Sequence, residues 1–343
     1  MVVDGRLLRG LPALAGESLS SLELAEAVSQ AVAPVVAHDA LRLMGNNPDG
    51  AGHTVFSFWH NFEEEFGCQF MRGYLAGDDP CLPTDLARQP MPAGLVGTGR
   101  GPRDRSVRRL FDDHGVGGEL RVLLRDAHGV WGSLALLRSA GGRAFDRADA
   151  ERLLELTPVL IAALWQYVLS GPVQPVAPEQ APGVFVVDAA GKVTGATPMA
   201  AWWAERLREH HPASWVDALV SGIAAQTRLT LREPGIPAPV MHCPAARFGR
   251  WISAEGQPLD QDGAVAVLVR AVPARELLVS LGSWYGVTAR ERQVIEHLLD
   301  GAAAKQIARG LDMSVHTVNG HLKAVYRKLG VNGRAELLTA LNT

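Results

Sequence analysis

One side of the stretch 315–329 carries residues suited to contacting nucleic acid. This side is polar or basic and has no acid, and its members are His316, Asn319, Gly320, Lys323 and Arg327. Lysine and arginine neutralise phosphates, and asparagine can pair with the edge of a base. Gly320 has no side chain, so the backbone could come close to a partner surface there. The pattern favours binding of double-stranded DNA, although a basic face alone is also typical of a solvated helix.

The elements that would position this face favour the DNA interpretation. Apolar residues at 318, 322, 325 and 329 step by four, three and four, which predicts an amphipathic helix. Thr288 and Glu291 form a capping-box pattern that begins an earlier helix, which we expect to end near Gly301. A short helix over 303–309, a turn at 311–313 and an N-cap at Ser314 follow, and a last helix is predicted over 334–341. Two tightly joined helices with the second facing outward can enter a major groove.

The C-terminal segment, residues 283–343, resembles the LuxR/NarL (GerE)-type helix-turn-helix. The matching motifs occur at fixed intervals from Val287 to Leu338, and they are TARER at 288–292, KQIA at 305–308, SVHTV at 314–318, HLK at 321–323, KLGV at 328–331 and RAEL at 334–337. The resemblance implies an all-α domain of four helices whose third helix reads bases and whose fourth often supplies a dimer contact. By position, Asn319, Gly320 and Lys323 would face base edges, with His316 on the same surface. Lys305, Thr317 and Arg327 would lie near phosphates.

Two positions depart from the family pattern. The family usually has lysine or arginine at the position of Asn319, and asparagine prefers adenine to guanine. We therefore expect an atypical operator sequence. Gly333 replaces a more usual polar residue, which predicts a looser start to the last helix.

Composition is consistent with a multidomain regulator. The chain has 343 residues and a net charge of −3, but residues 281–343 carry +3, which leaves −6 on the rest. A basic end on an acidic body is typical of a nucleic-acid module attached to a larger domain, although chance could also produce it. Cys68, Cys81 and Cys243 lie far apart, which favours a reducing cytoplasm over a disulfide framework or a metal site. No signal peptide, membrane span, cofactor motif or catalytic constellation is evident, so an enzyme is the least favoured interpretation.

The remainder of the chain predicts a multidomain α+β protein with two sensory modules. A GAF-like domain is expected at 1–170, a proline-rich linker at 171–182 and a PAS-like domain at 183–275. The first resemblance rests on HGVGGELR at 114–121, the strand-turn-strand around Asp126–Trp131, and FDRAD at 145–149; the second rests on GVFVVDAAG at 183–191. The whole arrangement is similar to a set of actinobacterial LuxR-type regulators.

Local patterns assign most of the elements in these two segments. Helices are predicted over 19–32, 63–76, 149–168, 199–210 and 214–229. Strands are predicted over 40–44, 53–60, 119–125, 130–138, 183–188, 192–197, 239–243, 247–254 and 263–272. The stretches 94–101 and 280–287 are interpreted as a flexible loop and a joint, respectively.

Trp59 and Trp131 are the candidate ligand-binding residues of the first segment, although isolated tryptophans are more often core residues. Trp59, Tyr74 and Asp79-Pro80 also loosely resemble the acyl-homoserine-lactone domain of quorum regulators, with a poor fit of spacing.

Two interpretations stay open. In the first, a small-molecule effector biases a homodimeric transcription factor; in the second, the front segments only dimerise or contact another protein, such as RNA polymerase.

Overall fold

A computed structural model describes residues 5–17, 19–48, 54–172, 175–176, 180–208, 213–232, 240–272 and 274–341. In these residues, mixed helix-and-sheet segments precede a C-terminal group of helices.

The first segment is a five-stranded antiparallel sheet with helices on both faces. Its elements are α1 (Gly5–Ala15), α2 (Ser21–Val32), β1 (Ala40–Asn46), β2 (Thr54–His60), α3 (Glu64–Leu75), α4 (Pro83–Leu86), β3 (Ala93–Val96), α5 (Pro102–Asp113), β4 (Val116–Asp126), β5 (Gly129–Ser139), α6 (Arg147–Leu154) and α7 (Thr157–Ser170). The strand order is β2-β1-β5-β4-β3, and the predicted β4–β5 hairpin is confirmed. Part of the predicted loop 94–101 is strand β3, which pairs with β4.

Both faces of this sheet are buried, and they differ in chemistry. One face packs apolar residues such as Leu41, Leu43 and Phe58 into the main core with α2 and α7. Alternation along the strands sends Arg42 and Arg121 to the opposite face. There they lie near α3 residues Phe70 and Tyr74 rather than in solvent, and both arginines are buried. The sheet therefore supports a buried polar layer on one side.

The single helix predicted over 149–168 is wrong, because the structure has two helices, α6 and α7, bent by 51°. Pro158 lies in the first turn of α7, where its missing N–H is tolerated, but it cannot continue α6. In the described part of the chain, no single helix has the length and hydropathy of a membrane span, and the bent α6–α7 pair meets that test only when its helices are combined.

The second segment is another five-stranded antiparallel sheet with the order β7-β6-β10-β9-β8. Its elements are β6 (Gly183–Val187), β7 (Val193–Ala196), α8 (Pro198–Arg208), α9 (Ala213–Arg232), β8 (Val240–Cys243), α10 (Ala245–Phe248), β9 (Ile252–Pro258) and β10 (Val265–Ala271). The predicted strand at 247–254 is misplaced: residues 245–248 form a helical turn that ends at left-handed Gly249, and β9 begins at Ile252. The first and second segments pack together through α3 against α9 and β2 against β8.

The C-terminal helices are α11 (Ala274–Trp284), α12 (Ala289–Leu299), α13 (Ala304–Gly310), α14 (Val315–Leu329) and α15 (Arg334–Leu341). The predicted joint at 280–287 is therefore wrong in its first half, since α11 continues to Trp284. The Trp284 side chain is buried, its Nε1 donates to Asn47 Oδ1 at 2.8 Å, and its ring meets Trp131 and Phe56. This contact attaches the end of α11 to the first sheet.

Candidate nucleic-acid interface

Local capping fixes where the candidate recognition helix begins and ends. Ser314 Oγ accepts from the backbone N–H of Thr317 at 3.0 Å, which starts α14. Asp312, in the preceding turn, has a positive φ of 53°, and Gly330 ends α14 in the left-handed conformation. These caps set the short connection between α13 and α14.

The inner side of α14 is buried and its outer side is open, as the sequence predicts. The buried residues of this helix are Val318, Leu322, Val325 and Leu329. Besides Val315 at its start, the exposed residues of the helix are His316, Thr317, Asn319, Gly320, Lys323 and Arg327. A Cβ at Gly320 would meet nothing within 4 Å, so the backbone there is open to solvent. Lys305, in the first turn of α13, is also exposed, and α13 packs against α14.

A partly buried ion pair holds α12 and α14 together beneath this surface. Lys328 Nζ donates to Glu291 Oε2 at 2.6 Å and to the carbonyl of Gly286 at 2.7 Å. Glu291 also completes the capping box, because its Oε2 accepts from the Thr288 N–H at 2.7 Å. Burial favours the neutral acid, but the hydrogen bonds from Lys328 and Thr288 hold the pKa of Glu291 below its ordinary value. The ion pair thus fixes the orientation of α14 on α12.

The exposed surface includes one cation that the sequence argument did not single out. Arg309, in the last turn of α13, is exposed like Lys305 and Lys323. Its place at the end of the short helix, just before the turn, is the sequence feature that could have indicated its exposure on this surface. On α14 itself, every charged side chain is basic, since residues 315–329 contain no aspartate or glutamate. The surface can therefore attract a phosphate backbone without an opposing charge on the same helix.

The last helix, α15, turns an apolar edge toward the interior of the chain. Leu337, Ala340 and Leu341 are buried, and α15 packs against α11. Ala340 and Leu341 also line a small crevice with Trp251 and Val272 of the second segment. A further hydrogen bond, from Arg334 Nη2 to the carbonyl of Ala302 at 3.1 Å, ties the start of α15 to the connection between α12 and α13.

The two tryptophans predicted to bind a ligand lie in different places. Trp131 is buried between Trp165 and Trp284, with ring centroids at 5.1 and 5.2 Å, so it belongs to the core. Trp59 lines a small cavity between the first and second segments, together with Arg42 and Tyr74. The structure therefore does not bring Trp59 and Trp131 together around one cavity.

The arrangement of α12 to α15 defines a helix-turn-helix module. Its two joined helices are α13 and α14, and α14 presents an exposed, cationic face. Residues 286–341 match the family described as "Bacterial regulatory proteins, luxR family". The spore germination protein GerE of Bacillus subtilis is 40% identical over 55 residues, which cover 16% of this chain and 74% of that protein. The chain belongs to the luxR family of bacterial regulatory proteins.

Other similarities cover less of the proteins concerned or are weaker. A protein described as an HTH-type transcriptional regulator in Mycobacterium bovis is 36% identical over 85 residues, which are 25% of this chain and only 9% of that protein. The chain thus matches less than a tenth of this relative's length. The crystal structure of Escherichia coli SdiA aligns over 97% of this chain and 96% of its own, with a TM-score of 0.36 and 11% identity.

Proposed function

We propose that this protein is a transcription regulator that binds double-stranded DNA by inserting α14 into the major groove. The observation that carries the proposal is the outward face of α14, which is exposed, basic and free of acids while the opposite face is buried. Lys323, Asn319 and the backbone at Gly320 would meet base edges. Lys305, Thr317 and Arg327 would contact phosphates, and His316 would lie at the entry of the helix into the groove.

The front of the chain would supply control. We propose a GAF-like domain at 1–170 and a PAS-like domain at 183–275, joined by the linker 171–182. In the second segment, a strand pair, two helices and three further strands follow in the order expected of a small sensory domain. We propose that the protein is a cytoplasmic homodimer whose domains can adopt two arrangements. A small-molecule effector would favour one arrangement by binding it with higher affinity than the other.

Fluorescence anisotropy with labelled duplexes, first at low salt, tests DNA binding by the full chain. Lys323→Ala should weaken binding to the preferred sequence by roughly 1–3 kcal/mol and reduce discrimination at one base position. Arg109→Ala removes one charge from an exposed site on α5 and should leave affinity nearly unchanged. Equal losses for both variants would mean that only total charge matters, and no binding to any duplex at low salt would overturn the proposal.

Asn319 offers a sharper test of sequence reading. Selection from a random duplex pool by the wild type should enrich adenine at one position in each bound site. Asn319→Ala should lose that enrichment while keeping most of its salt dependence, because it removes a base contact and no charge. Identical selected sequences for both proteins would show that Asn319 does not read a base.

A further inference from the structure

Arg42 lies in the buried polar layer of the first sheet, and part of its guanidinium lacks hydrogen-bond acceptors. Its guanidinium carbon is 4.7 Å from the ring centre of Phe70, 5.0 Å from that of Tyr74 and 5.3 Å from that of Trp59. Nε and Nη2 have no hydrogen-bond partner among the described residues. Burial, and then repulsion by Arg121, lowers the pKa of Arg42 to about 10, so the group stays charged at neutral pH.

Three of the four oxygens of the nearby carboxylates, Asp79 and Glu119, accept from a different arginine, and Glu119 Oε2 has no hydrogen-bond partner among the described residues. Arg121 donates to both oxygens of Asp79, at 2.8 and 2.9 Å, and from Nε to Glu119 Oε1 at 2.8 Å. It also donates to the carbonyl of Cys81. Arg121 thus has a full set of acceptors, whereas its neighbour Arg42 has aromatic rings around it. A buried cation with unused donors is costly unless an acceptor is supplied.

Arg42 borders a small, partly open cavity that could receive such an acceptor. This cavity, of about 30 Å³, lies between the first and second segments. Its apolar lining includes Met44 and Met71 of the first segment and Met241 of the second. Methionine side chains adapt easily to shape, so the lining can open around a group larger than the present space. The cavity therefore combines a fixed cationic end with a deformable apolar wall.

We propose that this cavity binds a small organic carboxylate, with the carboxylate on Arg42 and the apolar part among the three methionines. Nε and Nη2 of one guanidinium lie side by side and can donate to the two oxygens of a carboxylate. The aromatic rings exclude water from this contact, and the methionines favour a short branched or aromatic group over a polar one. The proposal rests on the effector control proposed above and names the chemical class of the effector.

The site is also placed to influence the C-terminal helices. Phe56 lines the cavity, and its ring centre lies 5.8 Å from that of Trp284 at the end of α11. Displacement of the cavity lining by a ligand would press on β2, which carries Phe56 and Trp59, and on β8, which carries Met241; these two strands pack against each other. Binding at this cavity would thereby bias the contact that fixes α11 to the first sheet.

Titration of the full chain with isovalerate and with isovaleramide tests the charge requirement. Calorimetry and the fluorescence of the cavity tryptophans, Trp59 and Trp215, should both report saturable binding of isovalerate. The amide has nearly the same shape without the charge, and should bind at least ~10-fold more weakly because charge-assisted hydrogen bonds are about twice as strong. Sodium chloride at equal ionic strength should give no saturable signal.

Two variants connect the binding to this site. Arg42→Gln should abolish the preference for the carboxylate, whereas Arg72→Gln, on the exposed side of α3, should keep it. Should Arg42→Gln fail to fold by circular dichroism, Met241→Trp serves instead, because it fills the cavity from the second segment and leaves Arg42 in place. Met241→Trp should block isovalerate binding.

The outcomes separate this proposal from DNA binding. Absence of saturable isovalerate binding, equal affinity for acid and amide, an equal signal from chloride, or an unchanged preference in folded Arg42→Gln would each overturn the carboxylate site. Anisotropy on the same preparation, without carboxylate, reports DNA binding independently. Isovalerate binding with no DNA affinity would remove the regulator proposal and leave the site, and the reverse result would remove the site alone.

Discussion

The ion pair between Glu291 and Lys328 should decide whether α14 stays ordered on α12. The side chain of Glu291 is 6% exposed and that of Lys328 is 24% exposed, so the pair lies between the buried and surface extremes. Breaking a fully buried pair costs about 3–5 kcal/mol, and exposed pairs contribute about 0.2–1 kcal/mol. For Glu291→Ala we expect about 2–3 kcal/mol, since the variant also removes the acceptor for the Thr288 N–H and half of the capping box.

Hydrogen exchange on the full chain measures this loss where it occurs. A loss of about 2–3 kcal/mol corresponds to roughly 30- to 150-fold faster exchange of the amides in α12 and α14, if they exchange through local opening. The amides of the first sheet should exchange as in the wild type. DNA affinity should fall as well, because α14 would no longer be held in one orientation on α12.

Glu296→Ala is the matched control on the same helix. Glu296 pairs with Arg292 at 3.9 Å, and both side chains are exposed by 40% or more, so this variant should change local stability by less than about 0.5 kcal/mol. Wild-type exchange in Glu291→Ala, or equal acceleration in the two variants, would refute the role given to the Glu291–Lys328 pair.

Two further perturbations test the first segment. Gly132→Ala would place a Cβ 1.9 Å from the Met44 carbonyl oxygen and should lower the stability of the first sheet by about 1–3 kcal/mol in urea unfolding. The control Gly118→Ala, whose Cβ would have nothing within 4 Å, should leave stability nearly unchanged. Equal unfolding midpoints for the two variants would contradict the close packing of β1 and β5. Burial opposes ionisation of Asp149, but hydrogen bonds, led by that from Arg143, hold its pKa below 3.8. Its contribution to stability is therefore complete above about pH 4 and is lost as the pH falls through the lowered value. Melting temperatures at pH 3 to 7 should show a smaller acid-dependent decrease for Asp149→Asn than for the wild type, while an unchanged decrease would exclude Asp149 as a source of acid sensitivity.

The helix-turn-helix could be predicted closely because its determinants are local. Thr288, Ser314 and Gly330 set the ends of helices through contacts within one turn, and the apolar spacing of α14 alone identifies its buried face. The exposed face, and with it the candidate DNA-contacting residues, follows directly. The break between α6 and α7 was also visible in principle, since Pro158 is incompatible with a continuous helix.

The polar layer and the attachment of α11 depend on tertiary contacts that local patterns do not contain. Arginines at alternate strand positions are typical of a solvent-facing side, yet Arg42 and Arg121 lie beneath α3. Likewise, the glycine and serines around Trp284 favour a joint, and only the packing of that ring on Phe56 and Trp131 makes the stretch part of a helix. The same stacking places Trp131 in the core, a contact that its own sequence neighbourhood does not indicate.

The inward apolar edge of α15 restricts how two molecules can sit side by side on an operator. The side chains of Leu337, Ala340 and Leu341 are buried within their own chain. They therefore cannot form an interface with a second molecule while α15 stays packed on α11. If two molecules bind one operator as proposed, the contact between them would lie elsewhere, or α15 would first have to separate from α11 in each molecule. In the first case, the spacing of half-sites on the DNA would be set by contacts of the front segments rather than by α15.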